Sequence, residues 1–372
     1  MIVGGEGIGG ALPEEARAWV EGSVGPGSRI VAAEPLAGAT SSAVHGLTVV
    51  DRRGRSQELV LRRYVLADWL EREPDLAERE AEVLVVLESC PIATPVLVAA
   101  DFDGDELGAP GVLMTRLPGR PSADPGPNPA QVDGLAAVLP VLHATRVPGG
   151  AGVRTYRPYD QRLDLVPPRW STDDAMWRRA IELHRAYRAD AGSTLVLVHR
   201  DYHSGNVLFD RGTGVVSGLV DWANASLGPP DVDVGHCRFN LVGQRGRAEA
   251  DRFRDRWLLE SGRDRYDPTF DVLAVVGALS SWPATRFGAE SEVESYVASA
   301  LADVTPCAGR DRGAHVRAWR HDLLGSRRRP VASGHRRSAG LHDRAVAPHP
   351  RLRGRRWGPG RQEHPVHDRG PR

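Results

Sequence analysis

The 372-residue chain contains no lysine, and all 48 of its basic residues are arginine. Any role that lysine usually fills must therefore fall to arginine or stay empty. The two residues are not interchangeable, because arginine carries a planar, forked guanidinium where lysine carries a compact ammonium.

Cysteine is nearly as scarce. The three cysteines, Cys90, Cys237 and Cys307, are far apart and odd in number, which excludes a disulfide framework and a Cys-x-x-Cys metal site.

No apolar run approaches the roughly 20 residues that cross a bilayer. The first residues lack the basic segment and apolar segment of a secretion signal. We therefore predict a cytoplasmic protein with no membrane partner.

The residues that are present indicate a folded globular protein of more than one unit. Hydrophobic residues make up 41% of the chain and charged residues 26%, a balance typical of a packed core. A single core stops growing near about 250–300 residues, so this chain is long enough for two. The patterns along the chain predict three parts, which are residues 1–118, 119–306 and 307–372.

The first part has the pattern of a small antiparallel sheet. A helix is predicted at 13–22, where Pro begins the helical residues and Gly ends them. A second helix is predicted at 75–87 from good helix formers and apolar residues three and four apart. Apolar runs between turn residues predict strands. These five strands lie at 29–35, 44–51, 58–65, 95–100 and 111–117.

The second part is mainly helical, with short strands around tight turns. Together the two parts predict an α+β fold with a small antiparallel sheet lobe and a larger, mainly helical lobe. The predicted helices lie at 130–143, 172–189, 231–241, 247–259 and 296–303, and the predicted strands at 194–199, 207–209 and 215–221.

The third part, residues 307–372, differs from the rest in charge and pattern. It carries 17 arginines against 5 acidic residues and shows neither the helical nor the strand period. Phosphate contacts to nucleic acid or to an anionic membrane are one interpretation. We disfavour it, because the segment has no amphipathic period, no binding module and few aromatic residues. Our hypothesis is a disordered or frameshift-derived tail, since the missing lysine indicates a GC-rich gene, and no specific nucleic-acid partner is predicted.

Three polar residues around the short strands carry the strongest chemical signal. Asp201 and Asn206 stand five apart in a loop between apolar strands, and Asp221 ends a third strand. A hairpin that turns at 210–214 would bring Asp221 beside Asn206. Phosphoryl transfer needs a carboxylate for the proton of the acceptor hydroxyl and oxygen ligands for Mg²⁺. We assign Asp201 as general base or hydroxyl-orienting group, and Asn206 and Asp221 as Mg²⁺ ligands.

Asp201 and Asn206 could each be an ordinary loop residue selected for its turn chemistry. The joint order of strand, His-x-Asp-x₄-Asn, strand, turn, strand and Asp matches the kinase catalytic-loop signature, which favours the functional interpretation. His199 and His203 are not assigned to a metal, because Mg²⁺ prefers oxygen and no third nitrogen or sulfur ligand has a suitable spacing. We expect both histidines to shape the loop by hydrogen bonds.

Two blocks around these residues carry a family resemblance. The first is Val-Leu-Val-His-Arg-Asp-Tyr-His-Ser-Gly-Asn-Val-Leu-Phe at 196–209, and the second is Gly-Leu-Val-Asp-Trp at 218–222, followed by Gly-Pro-Pro at 228–230. They resemble the aminoglycoside phosphotransferase and choline kinase-like family of small-molecule kinases more than protein kinases, which have Asp-Phe-Gly in place of Asp-Trp. The resemblance implies a protein-kinase-like fold with two lobes and ATP bound between them.

The resemblance also assigns a pair of charges in the first lobe. Arg62 stands where the family has a lysine that contacts the ATP phosphates, and Glu80 on the next helix would pair with it. The alternatives from patterning alone are a solvated strand charge at Arg62 and an exposed helix carboxylate at Glu80.

Further nucleotide contacts are expected from a strand and a loop. By resemblance, adenine would lie against the strand that contains Met114. Gly38, Ser41 and Ser42 form a small-residue turn between two strands, where they could approach phosphate. A second glycine pattern, Gly-x-Gly-x-x-Gly at 5–10, has neither a full strand before it nor a second βα unit after it, so we interpret it as an N-terminal arm.

We therefore predict an ATP- and Mg²⁺-dependent enzyme that transfers the γ-phosphoryl group to a hydroxyl of a small molecule. An aminoglycoside antibiotic is the representative acceptor, and choline, a sugar, homoserine or a macrolide are alternatives. A nucleotide-binding pseudokinase is the alternative from a different class. Asp233 resembles a family position that either lies near the acceptor or supports the catalytic loop, and we favour the structural role.

Overall fold

The computed structural model describes residues 9–36, 42–122, 128–189, 194–279 and 290–304. Gly38, Ser41 and the tail at 307–372 lie outside the described residues, as does most of the glycine pattern at 5–10. The predicted boundaries between the three parts of the chain stay predictions.

The first lobe is a five-stranded antiparallel sheet. All five predicted strands are confirmed, with each end within two residues of its predicted place. In space the order is β1-β2-β3-β5-β4, so the last two strands along the chain exchange places. These strands are β1 (Arg29–Pro35), β2 (Ala43–Val50), β3 (Ser56–Arg63), β4 (Leu97–Asp101) and β5 (Gly111–Thr115).

Helices cover the sheet of the first lobe. On one face, Ala16 and Val20 of α1 pack against buried strand residues such as Leu59 and Leu61. The helix α3 belongs to the larger core that continues into the second lobe. The first predicted helix is longer than expected, because it ends before Gly25, whose φ of 137° suits glycine, rather than at residue 22. The helices are α1 (Glu14–Val24), α2 (Ala67–Arg72) and α3 (Leu76–Leu87).

The second lobe packs its helices around α6, in which most residues are buried. Two small sheets, one with the order β6-β8-β9 and one formed by β7 and β10, lie at the edge of this helical core. The helices are α4 (Pro129–His143), α5 (Asp174–Ala186), α6 (Asp231–Arg245), α7 (Arg247–Ser261), α8 (Thr269–Gly277) and α9 (Glu290–Asp303). The strands are β6 (Arg120–Pro121), β7 (Val196–Val198), β8 (Val207–Phe209), β9 (Val216–Leu219) and β10 (Ser226–Gly228).

The structure adds four elements that the sequence did not predict, namely α2, α8, β6 and β10. The strands β6 and β10 have two and three residues, too few to show a period. The helix α8 is rich in valine, and a short apolar run of this kind does not distinguish helix from strand. The helix α9 begins at Glu290, six residues before its predicted start, because its first turn is polar. Within the described ranges, no helix has the length and apolar character to cross a membrane.

Candidate active site

The predicted catalytic residues meet where three short strands end. The loop with Asp201 and Asn206 joins β7 to β8, and β8 pairs with β9 as an antiparallel hairpin. Beyond the hairpin, the backbone N–H of Val220 donates to the carbonyl oxygen of Asn206 at 3.0 Å. Asp221 therefore follows directly beside Asn206, in the place that the hairpin interpretation predicts.

The carboxylate of Asp201 is held through both of its oxygens. Asn206 donates from Nδ2 to Oδ2 at 3.0 Å, and His236 Nε2 lies 3.0 Å from Oδ1. His203 Nε2 is farther away, at 3.6 Å from Oδ1. Burial by itself would raise the pKa of Asp201, but the hydrogen bond from His236 and the nearby imidazoles hold this pKa well below its usual value. Asp201 is therefore ionised at neutral pH.

Arg62 forms the predicted pair with Glu80 and also reaches the second lobe. Its Nη1 donates to Glu80 Oε1 at 3.2 Å and to Asp221 Oδ1 at 2.7 Å. The Arg62 side chain is 11% exposed and that of Glu80 is 1% exposed, which excludes the interpretation of both as solvated charges. The hydroxyl of Tyr64 donates to Glu80 Oε2 at 2.7 Å. Burial raises the pKa of Glu80, although Arg62 opposes the rise.

Asp233 supports the catalytic loop from below. Its Oδ2 accepts from the backbone N–H of His199 at 2.9 Å, and its Oδ1 accepts from that of Arg200 at 2.7 Å. His143 Nε2 lies 3.0 Å from Oδ2. His199 Nε2 in turn lies 2.9 Å from the carbonyl oxygen of Val220, just before Asp221. These contacts agree with the favoured structural role of Asp233 and with the loop-shaping role of His199.

Two residues of the site have left-handed backbone conformations. Arg200 and Asp221 both have a φ of 70°, a region that is uncommon for residues with a side chain. Arg200 is fixed by Asp233, by a 2.9 Å bond from its Nη2 to the carbonyl oxygen of Arg157, and by the Tyr159 ring, whose centroid lies 4.2 Å from Cζ. Conformations of this kind cost about 1–3 kcal/mol and persist where the surroundings fix them, which is often at functional sites.

Of the other residues predicted to contact the nucleotide, the structure describes Met114 and Ser42. Met114 lies on β5 opposite Val60 of β3, and its side chain is almost fully buried in the core. Ser42 stands just before β2 and is buried. Arg116, directly after β5, lies over Gly46, where a Cβ atom would come within 2.7 Å of Arg116 Nη1. The roles of Met114 and Ser42 stay predictions.

Asn206 and Asp221 have the donor atoms that a magnesium ion needs. Asn206 bonds to Asp201 through Nδ2, so its amide oxygen is turned away from that carboxylate. Asp221 bonds to Arg62 through Oδ1, and its side chain is 33% exposed. Mg²⁺ prefers oxygen ligands and keeps several waters, so one carboxylate and one amide oxygen beside open solvent fit this ion.

Two contributors to the site were not predicted from the sequence, His236 and Tyr64. His236 follows Asp233 by three residues on α6, and residues three apart on a helix share a face. The spacing Asp-x-x-His therefore contained a usable signal once Asp233 was placed behind the loop. Tyr64 follows Arg62 by two on an extended chain, so both side chains point to the same face, where Glu80 lies.

Comparisons with known proteins identify the family of the chain. The sequence model of the Phosphotransferase enzyme family (APH) matches residues 38–269. The comparison with curated proteins gives no match.

Solved structures with similar folds include several phosphotransferases. A putative aminoglycoside phosphotransferase from Ralstonia eutropha has a TM-score of 0.51 at 16% identity, with 78% of this chain and 98% of that chain covered. A thermostable mutant of aminoglycoside phosphotransferase APH(4)-Ia, in a ternary complex with ADP and hygromycin B, has a TM-score of 0.51 at 14% identity, with coverage of 77% and 98%. A thermostable mutant of APH(4)-Ia with AMP-PNP and hygromycin B gives 0.50 at 16% identity, with coverage of 74% and 94%.

The matched segment spans more than half of the chain, so the chain belongs to the phosphotransferase enzyme family. The predicted class of enzyme, a phosphotransferase, is thereby confirmed. At these low identities the solved structures show the fold alone, and that fold confirms the predicted bilobal, protein-kinase-like α+β architecture.

Proposed function

We propose that this phosphotransferase moves the γ-phosphoryl group of ATP to a hydroxyl group of a small molecule in the cytoplasm. The observation that carries the proposal is that Asp201, Asn206 and Asp221 lie together at the ends of the short strands. The buried Arg62–Glu80 pair contacts Asp221 at the same place. A carboxylate for the hydroxyl, oxygen ligands for Mg²⁺ and a cation for phosphate are the groups that this reaction needs.

On the nucleotide side, Arg62 is the group that receives phosphate. Its Nη1 is shared between Glu80 and Asp221, so the phosphates of ATP would compete with Asp221 for the guanidinium. Glu80 would keep its bond and hold Arg62 in place. Asp221, released from Arg62, would then join Asn206 as an Mg²⁺ ligand, and the ion when bound would neutralise phosphate charge.

On the acceptor side, Asp201 orients the attacking hydroxyl. A carboxylate with a lowered pKa is a weak base, so orientation comes first and proton transfer follows late. The hydroxyl oxygen forms its bond to the γ-phosphorus while the bond from phosphorus to the β,γ-bridging oxygen breaks. Asp201 accepts the hydroxyl proton, and the electron pair of the broken bond leaves with ADP.

The acceptor that we place first is an aminoglycoside antibiotic, as the resemblance in the catalytic blocks suggests. Support at the level of the fold comes from phosphotransferases whose structures contain hygromycin B. Choline, sugars, homoserine and macrolides are the other acceptors to be tested.

The experiment is an ATP-coupled screen of the purified full chain with Mg²⁺ against aminoglycosides, macrolides, sugars and amino alcohols. We expect one class to gain a phosphoryl group, detected by mass spectrometry, with equal release of ADP. The activity should be lost in Asp201→Ala. Binding of ATP without transfer to any acceptor would instead identify a pseudokinase and overturn the proposal.

A further inference from the structure

The helix α6 lies along the catalytic loop and contacts it at three successive points. Asp233 binds the backbone at the start of the loop, His236 reaches the carboxylate of Asp201, and Gln244 accepts from the hydroxyl of Ser204 at 3.2 Å. The first contact fixes the backbone, and the last fixes a side chain beyond Asp201. Of the three contacts, the one made by His236 reaches the carboxylate of Asp201, which in the proposed function binds the acceptor hydroxyl.

The two oxygens of Asp201 are held by two different parts of the molecule. Asn206 belongs to the same loop and binds Oδ2, so it moves with the loop. His236 belongs to a buried helix and binds Oδ1, so it fixes the carboxylate relative to the core of the lobe. With one hydrogen bond, the carboxylate could still rotate about its own bond, whereas two bonds on opposite oxygens define its plane.

The charge of Asp201 shows which atom is the donor in its contact with His236. An ionised carboxylate only accepts hydrogen bonds, so His236 Nε2 must carry a proton at this contact. His203 does not replace it, because 3.6 Å is beyond hydrogen-bond distance.

We propose that His236 is a positioning residue, which acts through Asp201 by fixing its carboxylate in the orientation that meets the acceptor hydroxyl. The inference rests on the proposed function. It predicts a loss of turnover without a loss of substrate binding, because His236 acts on the attacking geometry and not on ATP or acceptor affinity.

Kinetics with the full chain test the proposal. We expect His236→Leu to lower kcat about 30-fold, which corresponds to about 2 kcal/mol, with both KM values within about twofold of the wild type. His236→Gln keeps an N–H donor and should recover most of the loss. In an Asp201→Ala background, which has no carboxylate for His236 to hold, the further change to His236→Leu should alter kcat by less than about twofold.

An equal loss in the two backgrounds would show that His236 does not act through Asp201. An unchanged kcat in His236→Leu, or a KM that rises as much as kcat falls, would overturn the proposal as well. Thermal unfolding of each variant separates these outcomes from a failure to fold, since His236→Gln is expected to unfold at the wild-type temperature.

A measurement without turnover keeps the proposal independent of the acceptor. In the full chain labelled with ¹⁵N-histidine, NMR should show His236 with a proton on Nε2, and Asp201→Ala should shift that signal. The matched control is His143 of α4, which contacts Asp233, a residue of the same helix as His236. The His143 signal should not shift in this variant. If no acceptor is phosphorylated, the proposed function fails, whereas an unshifted His236 signal would remove the contact on which this inference stands.

Discussion

The site contains two charged clusters that are held in different ways. The Arg62 cluster consists of Arg62, Glu80 and Asp221, and the Asp201 cluster consists of Asp201, Asn206 and His236. The first joins the two lobes through a single Nη1 that two carboxylates share. The second lies within one lobe and gives each carboxylate oxygen its own donor. In the proposed function, the shared Nη1 lets Arg62 exchange Asp221 for an anionic ligand, while the two donors on Asp201 keep the orientation of its carboxylate.

The pKa values of Glu80 and Asp201 are shifted in opposite directions. Burial raises the pKa of Glu80 in the Arg62 cluster, although the Arg62 guanidinium and the hydroxyl of Tyr64 oppose the rise. The donors around Asp201 hold its pKa below the usual value despite burial. The donors on Asp201 thus outweigh the effect of burial on its pKa, whereas the donors on Glu80 do not.

Removal of the Asp201 carboxylate gives the largest expected effect. We expect Asp201→Ala to lower kcat by about 10³-fold, because the hydroxyl loses its orienting group and proton acceptor. The melting temperature should change by less than about 3 °C, since the side chain is one-third exposed and its partners Asn206 and His236 lie in the same lobe. Steady-state kinetics and thermal unfolding measure the two quantities. A variant with more than about a tenth of the wild-type kcat would contradict the role given to the Asp201 cluster.

Loss of the shared cation should affect stability more than any other change in the Arg62 cluster. We expect Arg62→Met to lower the free energy of unfolding by about 3 kcal/mol, because Glu80 is left buried without its counter-charge. The matched control is Arg116→Met, which removes an arginine from an exposed pair with Glu34 in the same lobe and should cost about 0.5 kcal/mol. Urea denaturation provides both values. If both variants lose the same free energy of unfolding, the burial of the Arg62 cluster does not contribute to stability, and the prediction is wrong.

Asp233 tests whether the Asp201 cluster depends on support from α6. An asparagine at this position has one acceptor oxygen, so Asp233→Asn should leave one loop N–H unpaired and cost about 2 kcal/mol of stability. We also expect kcat to fall about 10-fold as the loop loosens. Asp231→Asn is the control, because Asp231 is equally buried but binds Arg263 and the N–H of Asp267, away from the loop. The control should lose stability while its kcat stays within about twofold, and a matching fall in kcat would argue against a specific role for Asp233.

The smallest effect concerns pH and Glu80. Because the pKa of Glu80 is raised in the folded state, the folded protein binds this proton more readily than the unfolded chain does. Stability relative to Glu80→Gln therefore increases as the pH falls from neutral through the folded pKa towards the ordinary glutamate value of about 4.3. We expect the difference in melting temperature between the wild type and Glu80→Gln to be about 1 °C larger at pH 5 than at pH 7.5. Glu34→Gln, in the exposed pair, is the control, and a difference that shrinks at pH 5 would reverse the sign assigned here.

Much of the fold could be predicted from the sequence, because its signals are local. The five strands of the first lobe alternate apolar residues with turn chemistry between them, and their bounds follow from that pattern. The spacing of Asp201, Asn206 and Asp221 needed only one hairpin to bring them together. The pairing of Arg62 with Glu80 depended on the family resemblance, since a strand arginine and a helix glutamate 18 residues apart have no local reason to meet.

The remaining features depend on tertiary contacts. His236 joins the site because α6 turns one face towards the loop, and that orientation is set by the packing of α6 against α7 and α8. The strand β10 forms because β7 lies beside it, with three residue pairs that neither segment would hold alone. The pairing of β10 with β7 has no signal in a short window of sequence, and the spacing of His236 from Asp233 becomes informative only once Asp233 is placed behind the loop.

The burial of Arg62 has a consequence for chemical labelling. A chain without lysine offers no side-chain amine to acylating reagents, so probes that mark the phosphate-binding lysine of other nucleotide sites will find no such target here. Arginine-selective dicarbonyl reagents remain, and with an exposed fraction of 11% Arg62 should react far more slowly than Arg55, at 69%. In the proposed function a bound nucleotide would contact Arg62, and it should therefore slow the modification of Arg62 further.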